Sequence, residues 1–237
     1  MQVRRLPAGK RVLHLNIGQP DIATPDVALD AVKGMDRSVI EYSPSDGFAT
    51  YREGLVEYYA SVDVHVAPEQ VIVTTGGSEA LVFAFQACLE PGDEVIIPEP
   101  FYANYNGFAT MAGVKVVPVA SSIEEGFALP PVEDIAAKVT SRTRAILICN
   151  PGNPTGYVYT DEELAAIRTL VLEHDLYLFA DEVYREFCYG DKPPTSVLSL
   201  EGLDEHVVLM DSVSKRYSMC GARVGALVTR NAQVHQA

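Results

Sequence analysis

Basic residues are scarce in this chain of 237 residues, because 18 lysines and arginines stand against 32 aspartates and glutamates, a formal net charge of −14. Nucleic acids and anionic membrane surfaces both attract a basic protein face. The composition therefore argues against nucleic acid or a membrane surface as a partner. It also means that a cluster of local donors must hold any anionic ligand.

Cysteines are few, and long apolar runs are missing. The four cysteines, Cys88, Cys149, Cys188 and Cys220, show neither CxxC pairing nor the spacing of zinc ligands. We expect them to be small core residues in a reducing compartment. No apolar run reaches the length of a membrane span, and no apolar core follows the basic residues near the start, as a signal peptide requires. A cytoplasmic location is the expectation, and no metal site is predicted.

The chain is 48% hydrophobic and 21% charged, as in ordinary α/β domains. Apolar strand-like runs alternate with helical patterns, which indicates a mostly parallel sheet with helices on both faces. Seven strands are predicted, over residues 71–74, 94–97, 114–119, 145–149, 177–180, 207–210 and 225–229. One predicted helix covers 79–89, and another begins at a capping box formed by Thr160 and Glu163.

Lys215 follows one of these strands and lies among residue types that bind phosphate. A lysine that attacks an aldehyde must be held near it and made less basic, which a neighbouring cation such as Arg223 and partial desolvation achieve. Ser212, Ser214 and Arg223 offer the hydroxyl and guanidinium donors that suit a phosphate dianion. Taken alone, Lys215 is best interpreted as a solvated surface lysine. The prediction that Lys215 reacts with an aldehyde therefore depends on segments that precede it in the sequence.

Two upstream segments place polar groups at strand ends. Asp181 and Tyr184 follow one strand, at the edge where open α/β sheets bind their ligands. The turn Asn-Pro-Gly-Asn-Pro-Thr-Gly at 150–156 follows another strand and holds Asn153 over the sheet. By themselves, Asp181 would more often be a helix cap or a metal ligand, and the turn would simply be a loop.

A glycine turn connects the first predicted strand to a helix. Backbone N–H groups at Gly77, Ser78 and Glu79, together with the positive end of the helix dipole, would face one spot where a phosphate fits. This segment alone favours an ordinary turn with Ser78 as N-cap, but beside Ser212 and Arg223 it becomes a phosphate cup. A P-loop is excluded because no Gly-Lys-Ser/Thr follows, and a dinucleotide fingerprint because the glycine spacing is wrong.

These motifs, in this order, resemble those of the class I and II aminotransferases, which are fold-type I pyridoxal phosphate enzymes. The resemblance extends from the segment Asn-Ile-Gly-Gln-Pro-Asp, which contains Gly18, to about Thr229. It implies pyridoxal 5′-phosphate as cofactor, an imine between its aldehyde and Lys215, and a pairing of Asp181 with the protonated ring nitrogen. It also implies transfer of an amino group from an α-amino acid to a 2-oxo acid, with the freed lysine moving the proton.

The resemblance assigns roles to further positions. Tyr102 would cover the face of the cofactor ring, and Asn153 and Tyr184 would donate hydrogen bonds to its phenolic oxygen. Gly18 would bring backbone close to the substrate, because glycine leaves no side chain in the way, and Asn153 would also face the substrate. Tyr42 would reach the phosphate of a neighbouring subunit, which implies a homodimer with shared sites.

The resemblance also sets the expected domains. Residues 1–40 are predicted to form an N-terminal segment with the substrate-side Gly18 loop, and residues 41–237 the large cofactor domain. Members of the family continue into a smaller C-terminal domain, whose arginine holds the substrate carboxylate. Because this chain ends at Ala237, we expect that domain to be absent and turnover to be slight. The resemblance includes aspartate aminotransferases, which makes an aspartate-like substrate one expectation. Ser78 stands where some bacterial members carry a substrate-binding lysine, so that lysine does not support it here.

Two alternatives to an aminotransferase stay open on the sequence. A lyase of the same fold, which eliminates a β-substituent or cleaves a C–S bond, shares every cofactor motif. The other alternative is a module that binds the cofactor without turnover, either a fragment or the sensory part of a regulator. The intact set of Asp181, Lys215 and Arg223 argues against degeneration.

Overall fold

A computed structural model describes residues 17–190 and 193–237 of the chain. Its strands are β1 (Val71–Thr74), β2 (Glu94–Glu99), β3 (Lys115–Ala120), β4 (Thr143–Cys149), β5 (Tyr177–Asp181), β6 (Val207–Ser212) and β7 (Gly225–Val228). They form one sheet in the order β1-β7-β6-β5-β4-β2-β3. All seven strands lie where the sequence predicted them, with ends that differ by at most two residues.

Helices connect and cover the strands. They are α1 (Asp26–Lys33), α2 (Ala49–Ala60), α3 (Gly77–Cys88), α4 (Asn104–Ala112), α5 (Val132–Ala136), α6 (Asp161–His174), α7 (Val213–Arg216) and α8 (Ala232–Gln236). The predicted capping box is present at the start of α6, where Thr160 accepts a hydrogen bond from the N–H of Glu163 at 3.2 Å and Glu163 accepts one from the N–H of Thr160 at 2.7 Å. Across the described residues, no helix has the length and apolar character needed to cross a lipid bilayer.

The strand directions bring one set of chain segments to a single edge of the sheet. Strands β2 to β6 pair in parallel, whereas β7 runs antiparallel between β6 and β1. Gly225, the first residue of β7, lies opposite both Thr74 at the end of β1 and Ser212 at the end of β6. Asp181 at the end of β5 lies opposite Cys149 at the end of β4. The carboxyl ends of four strands and the amino end of β7 therefore meet.

Both faces of the sheet are buried. Because neighbouring residues of a strand point to opposite faces, Ile146 and Ile148 pack with α2 and α6 on one side. Ala145, Leu147 and Phe179 pack with α3 and α4 on the other. A sheet buried on both faces has nearly continuous apolar strands, and these apolar runs allowed the strands to be predicted from the sequence. The predicted α/β class, with a mostly parallel seven-stranded sheet between helices, is confirmed.

Candidate active site

A cleft of about 500 Å³ opens at the edge where the strand ends meet. Its size lies in the usual range for a site that encloses a small molecule. Most of the residues that the sequence analysis selected line it, namely Gly18, Gly77, Ser78, Tyr102, Asn153, Asp181, Tyr184, Ser212, Ser214, Lys215 and Arg223. Folding has thus gathered segments from almost the whole chain around one cavity.

Lys215 extends into this cleft from α7. Its Nζ donates a hydrogen bond of 2.5 Å to the carbonyl oxygen of Gly18, which is 197 positions away in the sequence. The same nitrogen lies 5.7 Å from the centre of the Tyr184 ring and 4.0 Å from the sulfur of Cys220. The amine is therefore held inside the cleft, where a ligand aldehyde can reach it.

Asp181 lies at the floor of the cleft, at the end of β5. One carboxylate oxygen accepts a hydrogen bond of 2.7 Å from the hydroxyl of Tyr105, and the other accepts one of 3.3 Å from the N–H of Val183. Burial raises the pKa of Asp181 above its usual value, and the nearby Asp211 acts in the same direction, whereas those two hydrogen bonds and the Lys215 charge oppose the shift. A carboxylate in this position favours a ligand atom that carries a proton or a positive charge.

Tyr105, the partner of Asp181, is not among the residues predicted from the sequence. Its ring is fully buried on α4 and meets Tyr102 edge to face, with ring centres 5.4 Å apart. Burial and the adjacent Asp181 raise the pKa of Tyr105 well above its usual value, so its hydroxyl remains a donor. A buried tyrosine needs a hydrogen-bond partner, but nothing in the sequence indicated which acceptor it would find.

The N-terminal segment closes one side of the cleft at Gly18. A Cβ added to Gly18 would lie 3.0 Å from the hydroxyl oxygen of Tyr184, so the backbone approaches as closely as a glycine permits. Burial raises the pKa of Tyr184 to about 12, which keeps this hydroxyl protonated. Thr24 and Ser218 fasten the segment to the chain after Lys215, since Thr24 Oγ1 donates to the Ser218 carbonyl at 2.6 Å.

Donors for an anion converge at the start of α3. Gly76, with φ +78°, is the N-cap, a position that the sequence had favoured for Ser78. A Cβ at Gly76 would lie 2.5 Å from a guanidinium nitrogen of Arg223, which itself adopts the left-handed conformation at φ 54°. Arg223 Nη1 lies 3.5 Å from Ser214 Oγ, which accepts a hydrogen bond of 2.8 Å from the hydroxyl of Ser212. A helix N-terminus, two hydroxyls and a guanidinium form a cup suited to phosphate.

Gly225 allows this cup to close. A Cβ at Gly225 would lie 2.5 Å from the carbonyl carbon of Gly76 and 2.8 Å from the carbonyl oxygen of Asp211. The backbone of β7 therefore touches the turn before α3 directly. This backbone contact explains why a glycine stands at position 225, two residues after Arg223.

Two of the selected residues lie outside the cleft lining. The carboxylate of Glu79 accepts a hydrogen bond of 2.6 Å from the N–H of Thr75 and so closes the turn before α3. The prediction for Glu79 concerns its backbone N–H, which donates to the Gly76 carbonyl at 3.2 Å. Tyr42 is fully exposed to solvent. Its predicted role concerns a neighbouring subunit.

Comparison with known proteins identifies the family. Residues 10–237 match the family model of the class I and II aminotransferases. The chain belongs to this family. Its members depend on pyridoxal phosphate, and the cleft residues fit that cofactor, because Lys215 suits its aldehyde, Asp181 its ring nitrogen, and the cup around Arg223 its phosphate.

Similar proteins carry several names. The chain is 39% identical to an aspartate aminotransferase of Bacillus subtilis over 92% of this chain and 56% of that protein. The structure superposes with TM-score 0.87 on an aromatic aminotransferase from Pyrococcus horikoshii, at 33% identity over 93% of this chain and 59% of that one. It superposes with TM-score 0.84 on N-succinyldiaminopimelate aminotransferase from Mycobacterium tuberculosis, at 32% identity over 93% and 59%. The chain thus spans between half and two thirds of the length of these relatives.

Arg223 offers a direct test of the phosphate cup. Arg223→Ala is expected to weaken binding of pyridoxal phosphate by about ten- to a hundred-fold, since a hydrogen bond to a charged group contributes about 1.5–3 kcal/mol. Binding of pyridoxal, which lacks the phosphate, should be nearly unchanged. Titration followed by absorbance measures both affinities. Arg230→Ala, which removes an ion pair with Asp204 outside the cleft lining, is the control, and an equal loss for both ligands in Arg223→Ala would contradict the assignment.

Proposed function

We propose that this chain is the cofactor-binding part of a pyridoxal phosphate-dependent aminotransferase, which moves an amino group from an α-amino acid to a 2-oxo acid. The observation that carries the proposal is the meeting of the Lys215 amine, the Asp181 carboxylate and the Arg223 cup in one cleft. These three groups match the aldehyde, ring nitrogen and phosphate of a single cofactor molecule.

When bound, the cofactor supplies an electron sink for the negative charge that develops at the substrate α-carbon. Asp181 would hold the protonated ring nitrogen and so make that sink effective. Lys215 would hold the cofactor aldehyde and, once free, would take the proton from the substrate α-carbon. Asn153 and Tyr184 would donate hydrogen bonds to the phenolic oxygen, and Tyr102 would cover the ring face.

Substrate approach is assigned to the N-terminal segment. We propose residues 1–40 as a substrate-side segment and residues 41–237 as the cofactor domain. The contact between Gly18 and Tyr184 supports this division, whereas residues 1–16 lie outside the described part of the chain. The names of the relatives mention aspartate, aromatic and N-succinyldiaminopimelate aminotransferases. We therefore propose an α-amino acid donor, with aspartate as the first to test.

A homodimer is proposed from the surface around Tyr42. Helix α1 buries none of its residues, and large apolar side chains are exposed along the same stretch, among them Val27, Val32, Ile40 and Phe48. Burial of such a surface against a second copy would stabilise the assembly and would carry Tyr42 towards the phosphate of its partner. Sedimentation of the chain with and without pyridoxal phosphate measures the dimer. The four cysteines show no CxxC pairing in the sequence, and on that ground we propose a reducing compartment and a cytoplasmic location.

The activity test uses the longest available form of the protein. Amino donors, with aspartate first, are screened against 2-oxoglutarate and pyruvate as acceptors, and both the new amino acid and the new 2-oxo acid are measured. Equal amounts of the two products are expected for an aminotransferase. Release of ammonia or a thiol without an acceptor would identify a lyase instead, and covalent cofactor binding without any product would favour a non-catalytic module.

A further inference from the structure

A buried ion pair lies next to the lysine in the sequence and outside the cleft lining. Arg216 directly follows Lys215, yet its side chain is only 5% exposed, and that of Asp211 is 2% exposed. One guanidinium nitrogen of Arg216 lies 2.8 Å from each carboxylate oxygen of Asp211. The guanidinium carbon also lies 3.6 Å from the centre of the Tyr58 ring. Arg216 therefore binds a carboxylate and an aromatic face together.

The pair is fixed to neighbouring elements. Asp211 also accepts hydrogen bonds from the hydroxyl of Tyr59 at 2.8 Å and from the N–H of Ser212 at 2.7 Å. Tyr58 and Tyr59 both belong to α2, and the Tyr58 hydroxyl donates to Glu186 at 2.5 Å. The network thus links α2, the end of β6 and α7. Removal of Arg216 would leave the Asp211 carboxylate buried without the cation that it contacts, which is strongly destabilising.

This geometry bears directly on the lysine. Asp211 and Arg216 are the two ends of a six-residue segment, and Ser212, Ser214 and Lys215 lie between them. Helix α7, which carries the lysine, has only four residues, and one isolated helical turn is not stable by itself. The ion pair joins the ends of the segment and so holds this turn in place.

We propose that Arg216 is a positioning residue for Lys215. By pairing with Asp211 and stacking on Tyr58, it holds the single turn of α7 in the orientation that directs the amine into the cleft. Arg216 itself does not line the cleft, so it acts only through the backbone that it fixes. The inference rests on the proposed function, in which Lys215 reacts with the cofactor aldehyde.

The test measures how fast Lys215 reacts with pyridoxal, whose lack of phosphate removes the contribution of the cup. The adduct is trapped with borohydride and quantified at Lys215 by peptide mass spectrometry. Arg216→Met should slow attachment by about ten- to a hundred-fold, because small displacements of a reacting group cost that much. Arg216→Lys, which keeps the charge but loses the planar fork, should recover part of the rate.

Two further variants separate positioning from loss of stability. Arg230→Met breaks the ion pair with Asp204 away from the cleft, and should leave attachment at Lys215 unchanged whatever its unfolding temperature. The double variant with Asp211→Asn and Arg216→Met avoids an unpaired charge, so it should fold even where Arg216→Met does not, and it should still react slowly.

The outcomes distinguish the two proposals. If pyridoxal attaches to Lys215 in the unmodified chain and attaches at the same rate in the folded Arg216 variants, the positioning role alone is overturned. The positioning role is also overturned if Arg230→Met slows attachment as much as Arg216→Met does. Failure of the unmodified chain to attach either pyridoxal or pyridoxal phosphate at Lys215 would overturn the proposed function itself.

Discussion

Lys215→Ala is expected to abolish covalent attachment of pyridoxal phosphate to this chain. Attachment requires an amine inside the cleft, and Lys215 supplies the nitrogen that reaches the Gly18 carbonyl and the Tyr184 ring. Borohydride reduction followed by mass spectrometry should show the adduct at Lys215 in the unmodified chain and none at this site in the variant. Reversible binding through the phosphate should persist, because Arg223 and the start of α3 are unchanged.

The fold should tolerate this change. The side chain of Lys215 makes a hydrogen bond to a carbonyl group at a solvent-exposed position, where the loss of such a contact changes stability little, so the unfolding temperature should fall only slightly. Lys33→Ala, which removes an exposed lysine on α1, is the matched control and should retain the adduct at Lys215. An adduct of equal yield elsewhere in Lys215→Ala, with an unchanged visible spectrum, would show that another amine is the reactive one.

The sequence located the strands and much of the site because both depend on local pattern. The strands are apolar on both faces, so their extent is visible without knowledge of their neighbours. Asp181 and Lys215 follow such strands closely, and the ends of parallel strands meet at one edge. Their proximity could therefore be predicted from their places after strands, before any contact was known.

Other features could not be predicted, because they depend on which elements meet in space. Periodicity does not encode strand direction, so the antiparallel placement of β7 was not foreseen. Tyr105 and Arg216 look like ordinary helix residues in the sequence, yet each binds a carboxylate that belongs to a strand. For β7, Tyr105 and Arg216, contacts between distant segments decided the role. Glu79 differs, because its side chain bonds to Thr75, only four residues earlier.

Asp181→Asn is expected to change stability and cofactor binding in opposite directions. Burial raises the pKa of Asp181 in the folded chain, so the folded state binds a proton more tightly than the unfolded state does. The stabilising contribution of this group is complete below the unfolded pKa and is lost as the pH rises through the folded pKa. At neutral pH the ionised carboxylate therefore opposes folding, and asparagine, of nearly the same shape, removes that penalty.

Thermal unfolding of the cofactor-free chain measures the first effect. Asp181→Asn should unfold at a higher temperature than the parent chain at pH 7, and the difference should shrink as the pH falls towards about 4, the usual aspartate range. Tyr105→Phe is the control, since it removes a donor to the carboxylate and should lower stability at neutral pH. A variant less stable than its parent at pH 7 would show that the carboxylate's hydrogen bonds outweigh its burial.

In cofactor binding, the parent chain should have the advantage over Asp181→Asn. Within the described part of the chain, Asp181 accepts hydrogen bonds from Tyr105 and Val183, and a protonated ring nitrogen would add a positive partner in direct contact. Removing one member of a buried ion pair costs about 3–5 kcal/mol. Asp181→Asn should therefore bind pyridoxal phosphate on the order of a hundred-fold more weakly, or more, by absorbance titration. Unchanged affinity would mean that another group holds the ring nitrogen. If both effects are found, Asp181 trades stability of the free chain for cofactor binding, which is the behaviour of a binding group and not of a packing residue.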